Sequence, residues 1–128
     1  MRMLGSLLVT GLILSVAPAR GHHSFEAEYD ATKIADFTGV VTQVDWQNPH
    51  AFLYVNVKDE SGATKNLRFE LGPPYALIRG GWKKDTVKIG DTVTVTGGAL
   101  AKDPRNNWVG AVGSTQLVLS SGQKMTMR

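Results

Sequence analysis

The sequence predicts an all-β fold: a five-stranded barrel with one short helix between the third and fourth strands. Three observations carry that expectation. Five segments alternate apolar and polar residues with period two, which sends alternate side chains to opposite faces of a strand. Turn-forming clusters separate them: Asn48-Pro49, Asp59-Glu60-Ser61-Gly62, Gly72-Pro73-Pro74 and Ile89-Gly90-Asp91. Only Tyr75 to Arg79 reads as helix, with prolines tolerated at its start and Gly80-Gly81 at its end.

The chain opens on a stretch of a different kind. Residues 1–21 read as a secretory signal peptide, with Arg2 as the positive end and an uncharged apolar run from Leu4 to Val16. That run falls short of the roughly 20 apolar residues of a membrane span. Small residues allow cleavage after Ala19, leaving Arg20 first, or after Gly21, leaving His22 first. The expected location is periplasmic or secreted. Absence of cysteine fits, because an oxidising compartment then poses no disulfide problem. About 100 residues remain, enough for one small domain and not two. Residues 22–36 show no clear period and read as an N-terminal arm with a turn near Tyr29, and residues 37–128 read as the barrel.

The first predicted strand runs from Phe37 to Gln47. Its pattern puts Thr38, Val40, Thr42, Val44 and Trp46 on one face, and Phe37, Val41 and Gln43 on the other. Gly39 inside it signals a bulge or tight bend. The second strand, His50 to Lys58, faces Ala51, Leu53, Val55 and Val57 inward and Phe52, Tyr54 and Asn56 outward. The third, Thr64 to Leu71, turns Leu67, Phe69 and Leu71 inward and Arg68 and Glu70 outward. The fourth is Thr92 to Thr96, with Val93 and Val95 on one face and Gly97-Gly98 as its break. The last is Trp108 to Leu119, with a break at Gly113-Ser114. Three strands, a helix and two strands is the order of the oligonucleotide/oligosaccharide-binding (OB) type of Greek-key barrel. An immunoglobulin-like sandwich usually needs about seven strands.

The formal net charge is only +3, and cleavage of the leader lowers it. No run of like charges marks a nucleic-acid or membrane patch, so neither partner is expected once the leader is gone. The chemistry-bearing residues are few. The chain has three histidines: His22-His23 beside the expected cut, and His50 after Asn48-Pro49. Imidazole nitrogens suit copper, zinc and nickel, and a nitrogen-rich planar set favours copper(II). With His22 first, its free amine and ring chelate together. With Arg20 first, Arg20-Gly21-His22 places a histidine third from a free amine, so amine, two amides and imidazole can surround the metal. Copper held by His22, His23 and His50 is the first expectation.

The second is a saccharide, peptide or protein ligand on the outer face of strands two and three. There Phe52, Tyr54, Arg68 and Glu70 combine rings with charge. Trp46, Trp82 and Trp108 either frame a pocket or pack, and Trp82 is grouped with the ligand residues. A copper-dependent redox enzyme is the third. Ordinary hydrolytic chemistry is disfavoured, since cysteine is absent and no strand-turn-helix elbow presents a serine. No catalytic residue is assigned.

The run His22-His23-Ser24-Phe25 with Glu28-Tyr29-Asp30 resembles the start of DUF6152, a family of exported bacterial proteins of unknown function. Gly39-Val40-Val41, Val44-Asp45-Trp46, Asn48-Pro49-His50-Ala51, Phe69-Glu70-Leu71-Gly72, Gly81-Trp82 and Gly90-Asp91-Thr92-Val93 are similar to its later parts. The resemblance spans nearly the whole mature chain. It implies export and a small β domain, and supplies no catalytic residue. One departure stands out: members carry alanine directly before the two histidines, where this chain has Arg20-Gly21.

Overall fold

A computed structural model describes residues 23–128, with side chains from Phe25 onward. The expected leader, its cleavage points and His22 lie outside the described residues. The elements in order are α1 (His23–Glu28), β1 (Tyr29–Asp45), β2 (Phe52–Lys58), β3 (Thr64–Glu70), α2 (Pro74–Arg79), β4 (Thr92–Ala101), β5 (Trp108–Gly110), β6 (Gln116–Leu119) and β7 (Lys124–Thr126). The sheet runs β1-β2-β3-β5-β4, and β1 pairs again with β4, which closes a five-stranded barrel. Strands β3 and β5 run parallel. The other pairs are antiparallel. The expected barrel, with its helix between β3 and β4, is therefore present.

The inward sets of β2, β3 and β4 are those the alternation predicts. Leu53, Val55, Leu67, Phe69, Leu71, Val93 and Val95 are all buried. Leu77 of α2 enters the same core, 1% exposed. Burying such a side chain is worth about 1.5–3 kcal/mol. Three of α2's six residues, Tyr75, Ile78 and Arg79, stay exposed.

β1 departs from its expected pattern. Val41 opposes Val55 and Gln43 opposes Tyr54, so Thr42 is an extra residue, a bulge. Before it the odd residues face inward: Phe37 packs on the core and Val41 is buried, while Val40 is 43% exposed. After it the even residues Val44 and Trp46 pack on the core. A single face for Val40, Val44 and Trp46 is therefore wrong, because one inserted residue exchanges the faces. The glycine signal at Gly39 has a different cause. A Cβ there would lie 2.0 Å from the Asn56 carbonyl oxygen, so only glycine permits the approach of β2.

The expected arm and turn at residues 22–36 are also corrected. Residues 23–28 are helical, and Tyr29 begins β1. Tyr29, Asp30, Ile34 and Ala35 oppose Ala101, Leu100, Ala99 and Gly98 of β4. Irregular register between Asp30 and Ile34 erases the period of two in the sequence. β4 in turn does not stop at Gly97-Gly98 but runs to Ala101. Gly97 takes a φ of 69° and donates its N–H to Asp36 Oδ1 at 2.8 Å, which kinks the strand without ending it.

The predicted last strand is two. β5 opposes the end of β4 and β6 opposes its start, with residues 111–115 looping out between them. The short C-terminal segment, which the sequence leaves open, adds β7 to β6 and buries Met125 and Met127. No helix among the described residues is long and apolar enough to cross a membrane.

Candidate functional site

Glu70 ends β3 on its outer face. His50 stands two residues before Phe52, which opposes Glu70 in the β2–β3 ladder, so His50 and Glu70 share that face. The ladder continues past the strands: Leu71 N–H donates to Ala51 C=O at 2.9 Å, and Ala51 N–H to Gly72 C=O at 3.1 Å. The backbone thereby fixes the two side chains, and His50 Nδ1 lies 2.6 Å from Glu70 Oε1. From the start of β1, Tyr29 donates its hydroxyl to Glu70 Oε2 at 2.7 Å. Tyr29 is 2% exposed. Burial, the bond to Glu70 and the Glu70 charge push its phenol above its ordinary pKa, against a smaller opposing effect of Arg68.

This triad fixes a tautomer. An ionised carboxylate has no proton to give, so Nδ1 of a neutral His50 must donate to it. Nε2 then keeps its lone pair. The imidazole is partly open, at 31% side-chain exposure, whereas Glu70 is at 14%. A carboxylate that holds one ring nitrogen so that the other can bind a metal is the usual outer-shell arrangement of histidine ligands.

Helix α1 is pinned beside the triad. The Phe25 ring packs on Tyr29 with centroids 4.7 Å apart. It lies over Gly110, where an added Cβ would come within 2.6 Å of Phe25 Cε2. Arg128 covers Phe25 at 5.0 Å from the ring centroid and donates from Nη1 to Ala111 C=O at 3.2 Å. Lys102 ties the helix from β4's side, its N–H to Glu28 C=O at 2.8 Å and its ammonium to Glu26 C=O. The chain therefore leaves His22-His23 two to three residues from a ring that touches Tyr29. The side chain of His23, like all of His22, lies outside the described residues. Among the described residues no group of three His, Cys, Asp or Glu side chains could hold a metal by itself.

DUF6152, a family of unknown function, matches residues 11–108. The chain belongs to that family. The matched span takes in His22-His23, His50, Tyr29 and Glu70, whereas β6 and β7 lie beyond it. No curated protein and no solved structure matches the chain.

The second group of sequence-derived residues sits on the same face of this family member. Tyr54 opposes Arg68 and Phe52 opposes Glu70. The Arg68 guanidinium lies between two rings, 4.9 Å from the centroid of Phe52 and 4.0 Å from that of Trp108. Its Nε is buried with no acceptor. Trp82 does not belong here. It is 2% exposed, and its indole N–H donates to Thr126 C=O at 2.7 Å, so it packs the core against β7. Trp46 lies edge-on to it at 6.1 Å. Tyr29, Phe25 and Trp108 complete the face. The sequence marks the Phe25 and Tyr29 spacing of four, a helix-type contact, but their contact with Glu70 depends on the curl of β1.

Proposed function

We propose that this protein is an exported metal-binding module that holds one copper(II) ion with His22, His23 and His50. The observation that carries the reading is the Glu70 contact with His50 Nδ1, which leaves Nε2 as a free donor. The docking of Phe25 on Tyr29 supports it, because it anchors the chain two residues after His23 beside Glu70's partner. Imidazoles, with no cysteine in the chain and no carboxylate cluster among the described residues, suit copper(II) over magnesium or calcium. His22 and His23 supply the terminal ligands, joined by the free amine when His22 is the first residue. Glu70 holds the His50 tautomer, and Tyr29 satisfies the carboxylate's other oxygen.

Native mass spectrometry of the exported mature chain with one equivalent of copper(II) tests this. The expected result is a single adduct, lost in the double variant His22→Ala/His23→Ala and weakened in His50→Ala. Unchanged affinity in the double variant overturns it. A second reading places an organic ligand on the Phe52, Tyr54 and Arg68 face. What favours it is the guanidinium clamped between two rings with one buried, unpaired N–H.

A further inference from the structure

β3 and β5 run parallel and β4 runs antiparallel to β5, so the start of β3, the end of β4 and the start of β5 meet at one end of the barrel. α2 joins the end of β3 to the start of β4 and plugs the other end with Leu77. At the end without the helix, the β4–β5 loop borders a groove of about 250 Å³. Phe37, Leu67, Leu100 and Trp108 line it, with Asn106 and Asn107 from the loop. Mouths of β-barrels are common sites for small molecules. The loop is held in place: Asn106 N–H donates to Asp103 C=O at 3.0 Å, and Arg68 N–H donates to Asn107 C=O at 2.8 Å.

Size, lining and charge define what fits. An apolar cavity of about 150 Å³ holds benzene, and drug-sized ligands occupy about 300 to 1,000 Å³, so this groove suits a molecule of one or two rings. Phe37 and Trp108 present aromatic surface, and ring–ring contact adds to the gain from apolar burial. None of the lining side chains is charged. The charges nearby are engaged elsewhere. Arg105 pairs with Asp103 at 2.7 Å within the loop, and the Lys102 ammonium is bound to Glu26 C=O. Arg68 lies on the outer face of β3, stacked on Phe52 and Trp108. An ion placed in the groove would lose water with no opposite charge to replace it. The carboxamides of Asn106 and Asn107 offer donors and acceptors to a neutral polar group instead.

We propose that this groove binds a small neutral aromatic molecule, its rings against Trp108, Phe37 and Leu100 and its polar group at the Asn106–Asn107 rim. The site is separate from the outer face of Phe52 and Tyr54 and from the histidines, so it is independent of both readings above.

Two-dimensional NMR of the isotope-labelled mature chain, titrated in metal-free buffer with 2-naphthol and with its charged counterpart 2-naphthoate, tests it. The expected result is saturable binding of naphthol, with shifts at the Trp108 indole N–H and at the backbone amides of Leu100, Asn106 and Asn107. Naphthoate should bind at least tenfold more weakly. Leu100→Trp should fill the groove and abolish the naphthol shifts. The wild-type spectra decide by themselves if that variant fails to fold. Shifts centred on Phe52 and Tyr54, naphthoate binding as tight as naphthol, or no saturable shift up to the solubility of naphthol overturns the proposal. So does naphthol binding that persists in folded Leu100→Trp. Copper binding is read separately, so loss of the metal reading leaves this result intact, and the converse holds.

Discussion

Replacing Tyr29 with phenylalanine removes one hydroxyl and leaves the ring packed against Phe25 and Gly110. The lost bond runs to a carboxylate at 2.7 Å. Hydrogen bonds to charged groups contribute about 1.5–3 kcal/mol. The expected loss at neutral pH is therefore in that range, a fall in melting temperature of roughly 10 °C for a domain of this size. The pH dependence carries the sharper test. The native phenol is raised above its ordinary value of 10.0 by burial and by Glu70. Below pH 10 native and unfolded chains both keep the proton, and the stabilisation is complete. Above it the unfolded chain ionises first, and stability falls by up to about 1.4 kcal/mol per pH unit. Tyr29→Phe has no such loss. Lysines and the other tyrosines titrate in both proteins, so the difference isolates Tyr29. Urea unfolding of both proteins at neutral pH and above pH 10 should show a gap that narrows with alkali. Equal stability at neutral pH, or a gap that stays constant, would refute the reasoning.

The other expectations concern the same cluster and the fold beneath it. Glu70→Gln turns an amide N–H₂ or a lone oxygen towards His50 and frees the ring to carry its proton on Nε2. Copper affinity, measured by competition with a chromogenic chelator, should fall about 10–100-fold, the usual cost of losing an outer-shell partner. Gly110→Ala drives a methyl into Phe25 and Tyr29. It should raise amide exchange in α1 and weaken copper binding, with Tyr29→Phe as the reference for stability alone. Gly39→Ala meets the Asn56 carbonyl and has no side chain to displace, so thermal melts should show a loss of more than about 2 kcal/mol. Met127→Ala, at a fully buried position, should cost about 2–5 kcal/mol in urea unfolding, showing that the segment after β7 belongs to the core.

Much of the candidate site was legible before the fold was known. Phe52, Tyr54, Arg68 and Glu70 all fall on the predicted outer face, because strand alternation survives in β2 and β3, where no bulge interrupts it, and His50 shares that face with Glu70 through the continued ladder. Trp82 shows where such reading fails. An aromatic after a turn can frame a pocket or pack a core, and only the β7 carbonyl that takes its N–H decides between them. Tyr29 was hidden for another reason. Its contact with Glu70 spans 41 positions and needs β1 to start eight residues before the first regular alternation.

By itself the sequence determined the barrel class, the position of α2 and the inward residues of β2, β3 and β4. Each of these follows from local period, turn chemistry and proline or glycine punctuation. Tertiary structure alone decided the course of β1, the kinked run of β4 through Gly97-Gly98 and the capture of β7. Those depend on which distant strand supplies the missing backbone partners. Barrel closure requires β1 to pair on both sides, and the bulge at Thr42 and irregular register at Asp30–Ile34 are the local distortions found where it does so. The same closure carries Tyr29 to Glu70 and so assembles the site.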